Sequence, residues 1–393
     1  MLVVIHDYAG HPFQVELSRA LSRRGYSVHH IFFAGDQGPK GEMKKKSGDG
    51  YIFFEPIGSS KSYSKTNFLK RRFSDLEYGK AVARRLAELS PDVVISGNTP
   101  TETQEIILNM CGSIGTKFIY WCQDFYSIAA TSILKKKLFF FGVMVGKYYQ
   151  HLEKRQMCRS EHIIHITERF CIQTDLWGIK RGKISIIPNW GALHDINVLT
   201  KNSNWSKRHG LDEKRKRALY SGTLGLKHNP TMLEKVALDN PDIEVVVVAS
   251  GVGFDYLESR QTEIPNIKLF PLQPFSEFAE VLSSADILLA VIERDAGEFS
   301  VPSKILSYLC SGRAIVLAAP IDNLASVMVN DSKSGLVVES DDDEGFSKAV
   351  SSLMGDFCSR ESSGVNARNY AEKNFDIEKI TDKFEKILVR IAS

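Results

Sequence analysis

Short apolar runs alternate with longer amphipathic stretches along this chain, and that rhythm limits the fold more than any other feature. Residues 2–5, 28–33, 91–96, 117–121 and 162–167 read as strands, and 184–189 closes this first series. Between them, residues 13–24 carry Val15, Leu17, Ala20 and Leu21 at helical spacing until Gly25 stops the helix, and 75–89 and 101–111 repeat the pattern. The rhythm restarts with strands at 217–221, 243–249, 267–270, 286–291, 314–318 and 335–339, a helix over 232–237, and a long amphipathic stretch at 364–391. Strands separated by helices must run parallel, and a parallel sheet is covered on both faces. The fold class is α/β, with two doubly wound Rossmann-like domains facing across a cleft.

A chain of 393 residues exceeds one ordinary core. Apolar periodicity lapses over residues 191–216, where Asn202-Ser-Asn-Trp-Ser-Lys-Arg reads as loop. The expected organisation is domain one at 1–190, a linker at 191–216, domain two at 217–363, and a C-terminal helix at 364–393 crossing back to the first domain. Ligands in such sheets bind beyond the carboxyl ends of the strands, at helix N-termini. The residues that follow strands are therefore the ones to inspect.

A formal net charge of +3 is too small to argue for nucleic acid as a partner. Six scattered cysteines without a Cys-x-x-Cys pair suggest neither zinc nor disulfides, and read as reduced, buried thiols of a cytosolic protein. The opening Met1-Leu-Val-Val-Ile-His-Asp reads as a first strand rather than a signal peptide. No run reaches the ~20 apolar residues of a membrane span. The nearest is 138–146, preceded by Lys135-Lys136-Lys137; it is either a buried helix with a basic entry or a patch for a bilayer surface. Phe68-Leu-Lys-Arg-Arg-Phe73 is a second basic-aromatic cluster of that kind.

After the first strand, Gly10 permits a sharp turn, Pro12 pre-sets a helical turn, and His11 either faces whatever lies over the loop or is a surface or capping histidine. After residues 118–121 come Gln123 and Asp124; the carboxylate either orients or deprotonates a sugar hydroxyl, or caps the next helix. His162 and His165 face opposite sides of a strand and do not suggest a metal site. In the second half, Gly222 and Gly225 bracket a loop with Lys227 at its lip and a helix start at Asn229-Pro230. Glycine-loop amides plus a lysine hold phosphate, although the loop matches neither a Walker A nor a dinucleotide pattern. The stretch from Glu298 to Gly312 then plants Lys304 in the first turn of an apolar helix, where a cation is mildly unfavourable. A bound diphosphate reverses that sign, and Lys227 and Lys304 then flank it from two loops, suiting a leaving group whose charge grows.

Tyr-Ser-Gly-Thr-Leu-Gly-Leu-Lys-His-Asn-Pro, Ile-Pro-Asn-Trp and Val-Pro-Ser-Lys-Ile-Leu-Ser-Tyr-Leu-Cys-Ser-Gly-Arg resemble retaining glycosyltransferases of family 4. The branch they are similar to builds O-antigen and capsule chains and includes fucosamine-type transferases. Asp-Tyr-Ala-Gly-His-Pro-Phe-Gln and Trp-Cys-Gln-Asp-Phe-Tyr extend the resemblance over nearly the whole chain. It implies the GT-B fold and a metal-independent, cofactor-free hexosyl transfer. The donor is a nucleotide sugar, UDP-linked by preference, with an N-acetylated amino-deoxysugar among the candidates.

By resemblance the donor site comprises Gly222, Thr223, Lys227, Glu298, Pro302, Ser303, Lys304 and Ser307. Thr223 stands where the family has an arginine, and Ser307 where it has a glutamate for the donor's ribose; Glu298, beside Phe299, replaces the family's other glutamate after a one-residue shift. Lys227, Asp124 and His11 are the implied catalytic set. Gly10, His11, Asn98 and Asp124 form the acceptor side, for a lipid-linked saccharide. The implied location is cytoplasmic, peripheral on the inner face of the membrane through the basic-aromatic patches. A nucleotide-sugar 2-epimerase and a non-catalytic nucleotide-binding subunit are the competing readings.

Overall fold

The computed structural model describes residues 1–35, 41–58, 68–225, 228–292 and 303–392. The chain divides into two compact units, Met1–Asn189 with Ile377–Ser393, and Trp190–Asp376.

The first unit runs β1 (Leu2–Asp7), α1 (Pro12–Arg23), β2 (Ser27–Phe33), β3 (Ile52–Ile57), α2 (Phe68–Leu89), β4 (Val93–Gly97), α3 (Thr101–Ile114), β5 (Lys117–Cys122), α4 (Tyr126–Arg159), β6 (His162–His165), α5 (Phe170–Leu176) and β7 (Ile184–Ile186). All strands are parallel, in the order β3-β2-β1-β4-β5-β6-β7. Val3, Val4 and Ile5 are fully buried because helices cover both sheet faces. β3 escapes a reading by apolar runs because Glu55 and Pro56 interrupt it, and its edge position is where a proline is tolerated. The C-terminal helix Ile377–Ala392 packs on α1. Arg24 reaches Asp382 at 2.6 Å and Glu378 and Glu385 at 2.8 Å, and Phe384 meets Trp121 edge-on at 5.0 Å.

The second unit runs α6 (Asn204–Arg208), β8 (Arg217–Thr223), α7 (Pro230–Asp239), β9 (Glu244–Ser250), α8 (Val252–Arg260), β10 (Ile267–Pro271), α9 (Phe278–Ser283), β11 (Ile287–Val291), α10 (Ser303–Ser311), β12 (Ala314–Ala318), α11 (Leu324–Ser332), β13 (Gly335–Val338), α12 (Asp343–Gly355) and α13 (Phe357–Asn374). Its parallel sheet has the order β10-β9-β8-β11-β12-β13. The stretch 191–216, expected as a linker, is part of this unit. Trp205 is fully buried between His209 and Phe270, at 4.5 and 5.4 Å, and Lys201 bonds Asp286. Polar spacing hid it because one tryptophan supplies the apolar anchor. The chain leaves this unit at Asp376, so α13 stays with the second unit and only the last helix belongs to the first. Cys158 and Cys358 are exposed, correcting the expectation of uniformly buried thiols; all six cysteines are free.

The helical segment α4 folds back on itself. Ser127 Oγ donates to Glu153 Oε2 at 2.5 Å and Gln150 Nε2 to Thr131 Oγ1 at 3.3 Å, across 26 and 19 residues. A straight helix would hold those pairs about 39 and 28 Å apart. Gly146 lies against Thr131, so the turn falls between these two residues. At the base of the hairpin, Glu153 also accepts from Tyr120 of β5, and burial raises its carboxyl to about 7. Among the described residues no helix is long and apolar enough to cross a membrane.

Four histidines of the first unit, His6, His30, His162 and His165, are lowered to about 4, chiefly by burial. An unfolded histidine titrates near 6.5, so the folded unit binds fewer protons than the unfolded chain between those values. The stability these neutral rings carry is present above pH ~6.5 and lost as pH falls through 4. Pulsed hydrogen exchange after incubation at successively lower pH is expected to show the first unit losing protection before the second. Simultaneous loss, or earlier loss in the second unit, counts against this account.

Candidate active site

In a doubly wound sheet the loops diverge where the strand order reverses, and that opening is where a ligand fits. The reversal lies between β1 and β4 in the first unit and between β8 and β11 in the second. The sequence-chosen residues cluster at both points.

In the first unit β1 ends at Asp7, and Gly10, at φ +77°, turns the chain into α1. His11 occupies the N-cap position, but its ring does not cap. It faces Asp7, with Nδ1 3.0 Å from Oδ1, while the His11 backbone N–H donates to Asp7 Oδ2. Asp7 is fully buried. Burial alone would raise its carboxyl, but the His11 ring and N–H hold it below the ordinary carboxylate value. An ionised Asp7 places the imidazole proton on Nδ1 and leaves Nε2 as an acceptor. Asn98, directly after β4, is held in the left-handed region at φ +54°, and its amide nitrogen lies 3.3 Å from Nε2. A buried carboxylate, an imidazole and an amide at a strand switch point can bind and deprotonate a hydroxyl. Asp7 was missed from sequence; its signal is the position four residues before His11, on the last residue of a strand.

Beneath them is an amide cluster. A Cβ on Gly97 would lie 3.3 Å from Gln14 Nε2, a close approach, and 3.5 Å from Gln123 Nε2, an ordinary contact. Gln123 Oε1 accepts from Asn189 at 3.4 Å. Asp124 follows, half-buried, between β5 and α4, one residue before Phe125 at the N-cap position of α4.

In the second unit, register pairs join Ala218 to Ile287 and Leu219 to Leu288. Beyond them the buried hydroxyl of Tyr308, from α10, bridges the two strands. It accepts from the Ser221 N–H at 2.9 Å and lies 3.2 Å from Ser221 O and 3.1 Å from Leu289 O. This bond fixes α10 against the end of β8. One turn earlier on that helix, Lys304 places Nζ 3.6 Å above the Tyr220 ring. Gly222, at φ +126°, completes the nest: a Cβ there would meet Lys304 Cε at 3.0 Å. Nζ is buried and among the described residues has no hydrogen-bond partner. Burial pushes its pKa well below the ordinary lysine value. A buried amine of this kind favours an anion beside it, and the first turn of a helix leaves backbone amides that can bind one.

The structure thus brings His11 to Asn98 and Lys304 to Gly222. Thr223 and Ser303 are exposed at the same end of the sheet, and Ser307 is half-buried one turn along α10. Lys227, Glu298 and Pro302 lie outside the described residues.

The family described as "Glycosyl transferases group 1" matches residues 216–356, within the second unit. The chain is 24% identical over 214 residues to the "Putative colanic acid biosynthesis glycosyl transferase WcaI" of Escherichia coli (strain K12). That match covers 53% of this chain and 52% of WcaI, so it spans about half the length of the curated relative. Sucrose-phosphate synthase (tll1590) from Thermosynechococcus elongatus superposes with a TM-score of 0.75 at 12% identity, over 100% of this chain and 99% of that one. Anabaena Alr3699/HepE, solved in complex with UDP and glucose, gives 0.71 at 12% identity, over 99% and 100%. The fold is GT-B. At these identities the superpositions speak for the fold alone.

Tyr308→Phe removes the hydroxyl and leaves the buried Ser221 N–H without its partner. The expected cost is roughly 1–3 kcal/mol in urea unfolding of the second unit. An unchanged midpoint would show that the amide is satisfied without Tyr308.

Proposed function

We propose that this protein is a retaining glycosyltransferase acting on a nucleoside-diphosphate sugar, UDP-linked by preference. Its acceptor is a lipid-linked saccharide in surface-polysaccharide assembly, met at the inner face of the cytoplasmic membrane. The observation that carries the reading is Lys304, whose buried Nζ has no hydrogen-bond partner among the described residues and is set against Gly222 and the Tyr220 ring at the strand switch point. A diphosphate supplies the missing counter-charge, with Lys227 as its second cation and Pro302 and Ser303 shaping the helix entry. The match of the second unit to group 1 glycosyl transferases supports this, and so does the UDP and glucose held by the HepE relative.

In the proposed reaction the bond from the anomeric carbon to the diphosphate oxygen breaks as the acceptor hydroxyl attacks from the same face. The new C–O bond keeps the anomeric configuration, and the hydroxyl proton leaves with the diphosphate. Lys304, Lys227 and the α10 amides stabilise the charge growing on the leaving group, the part a metal ion plays elsewhere. His11, oriented by Asp7 and flanked by Asn98, Gly10 and Asp124, positions the acceptor hydroxyl. Glu298 and Ser307 take the ribose side of the donor.

The test is thermal melting with UDP, GDP and dTDP, followed by turnover. A nucleotide at 100 times its dissociation constant adds about 2.7 kcal/mol of stability, a shift of several degrees. Lys304→Met is expected to abolish the response to UDP while the protein stays folded, and Lys227→Ala to abolish turnover. No shift with any of the three nucleotides sinks the reading; an undiminished UDP shift in Lys304→Met removes Lys304 from the donor site.

A further inference from the structure

At the outer edge of the first sheet, beside β3, lies a cavity of about 600 Å³. Phe53 forms its flat wall. The ring is 51% exposed, and one face stacks on His29, its cross-strand partner on β2, at 4.8 Å and 25°. Glu55, two residues on and so on the same sheet face, accepts from Arg85 of α2 at 2.6 Å from Nε and 3.1 Å from Nη2, and is hydrogen-bonded to His29 Nδ1. A third N–H of Arg85 goes to Glu88 at 3.0 Å. Two of the guanidinium's five N–H groups therefore remain, and the Glu55 carboxylate keeps an open lone-pair site. Lys45, exposed, and Met43 complete the rim.

The strand adds backbone groups of its own. Tyr51 O accepts from the Val28 N–H at 2.8 Å and Ile57 O from the Ala34 N–H at 2.9 Å, so residues 51, 53, 55 and 57 turn their backbone toward β2. Ile52 and Phe54 direct theirs at the open edge, where they have no hydrogen bond among the described residues. A partner strand would use these groups, but the next outward residue is Pro56, which has no N–H, and pairing ends after two rungs. A compact ligand meets no such limit. What the cavity offers is one apolar ring face ringed by donors and acceptors intermixed. A pyranose presents the complement: C–H groups cover one face, and hydroxyls that both donate and accept surround the rim. The volume falls within the roughly 300–1,000 Å³ of small-ligand sites.

We propose that the edge of β3 is a second, non-catalytic saccharide-binding site. One of its walls is joined to the acceptor side of the candidate active site: the Gly41 N–H donates to Gly10 O at 3.0 Å, and Met43, two residues on, lines the cavity. A glycan lengthened beside His11 thus has a hold for its earlier sugars on the same unit. That purpose rests on the transferase reading, but the binding is measured without turnover or nucleotide.

The experiment is saturation-transfer NMR on the full chain with neutral trisaccharides (maltotriose, β-1,4-galactotriose and chitotriose), and with trigalacturonate as a charged control. Phe53→Ala and His11→Ala accompany the wild type, and melting temperature checks that both are folded. The expected result is binding of at least one neutral trisaccharide that added salt does not weaken. Phe53→Ala should lower its affinity roughly tenfold, whereas His11→Ala should keep it. The proposal is overturned if no neutral trisaccharide binds, or if the folded Phe53→Ala variant binds as the wild type does. Binding lost in His11→Ala and kept in Phe53→Ala also overturns it, placing the saccharide at the acceptor side. Binding of trigalacturonate alone, abolished by salt, is charge attraction and counts against the site. Self-association that disappears in Phe53→Ala assigns the edge to a second copy and likewise overturns the proposal. Saccharide binding without any nucleotide response leaves this site standing and removes the transferase reading; a nucleotide response without saccharide binding does the reverse.

Discussion

The second unit depends on the phenolic hydroxyl of Tyr308. Parallel strands β8 and β11 must separate beyond Leu219 and Leu288 to open a switch point, and separation leaves backbone groups at Ser221 and Leu289 with a lost ladder partner. One side-chain hydroxyl from α10 meets the Ser221 N–H and the two carbonyls. The opening exists without orphaned backbone at that place, and α10 is locked in register with β8. Lys304 rides on the same helix, so the bond that closes the gap also aims the cation.

The first unit solves the matching problem differently. Its switch point lies between β1 and β4, and the polar load there falls on side chains. His6 bonds Ser96 and Tyr78, each at 2.8 Å, and Ser96 donates to Gln104 at 2.6 Å. Behind them Asp7 stays ionised against His11. The low dielectric that pushes His6 down also strengthens the Asp7–His11 attraction, so burial neutralises one group and keeps its neighbour charged. The two units thus present different groups at equivalent positions, a carboxylate–imidazole pair in one and, in the other, a buried lysine nitrogen with no hydrogen-bond partner among the described residues.

Much of this was legible in the residues. Apolar runs marked the buried strands because a sheet covered on both faces has no polar alternation to blur them, as in β9 with its four consecutive valines. Loops after strands singled out His11 and Gly222, and a misplaced charge Lys304, because glycine, proline and such a charge all leave local signatures; Asn98 followed only from the family resemblance. What escaped were features made by distant partners. β3 is broken by Glu55, which pairs with Arg85 of α2, and by Pro56, which only an edge accepts. Residues 191–216 seemed a linker because the contact that folds them, Trp205 on Phe270, spans 65 positions. Asp7 read as the polar end of a strand until His11 came to rest against it.

The sequence by itself determined two parallel α/β sheets, the direction in which their strand ends open, and the residue types standing there. Those follow from local periodicity and turn chemistry, which act over one element at a time. Only the tertiary structure decided that α4 doubles back, that Lys304 is stripped of water over Tyr220, and that the chain returns to its first unit at Ile377 rather than at residue 364. Each of these is set by desolvation and by contacts between residues far apart in sequence. No local propensity encodes which buried groups find partners.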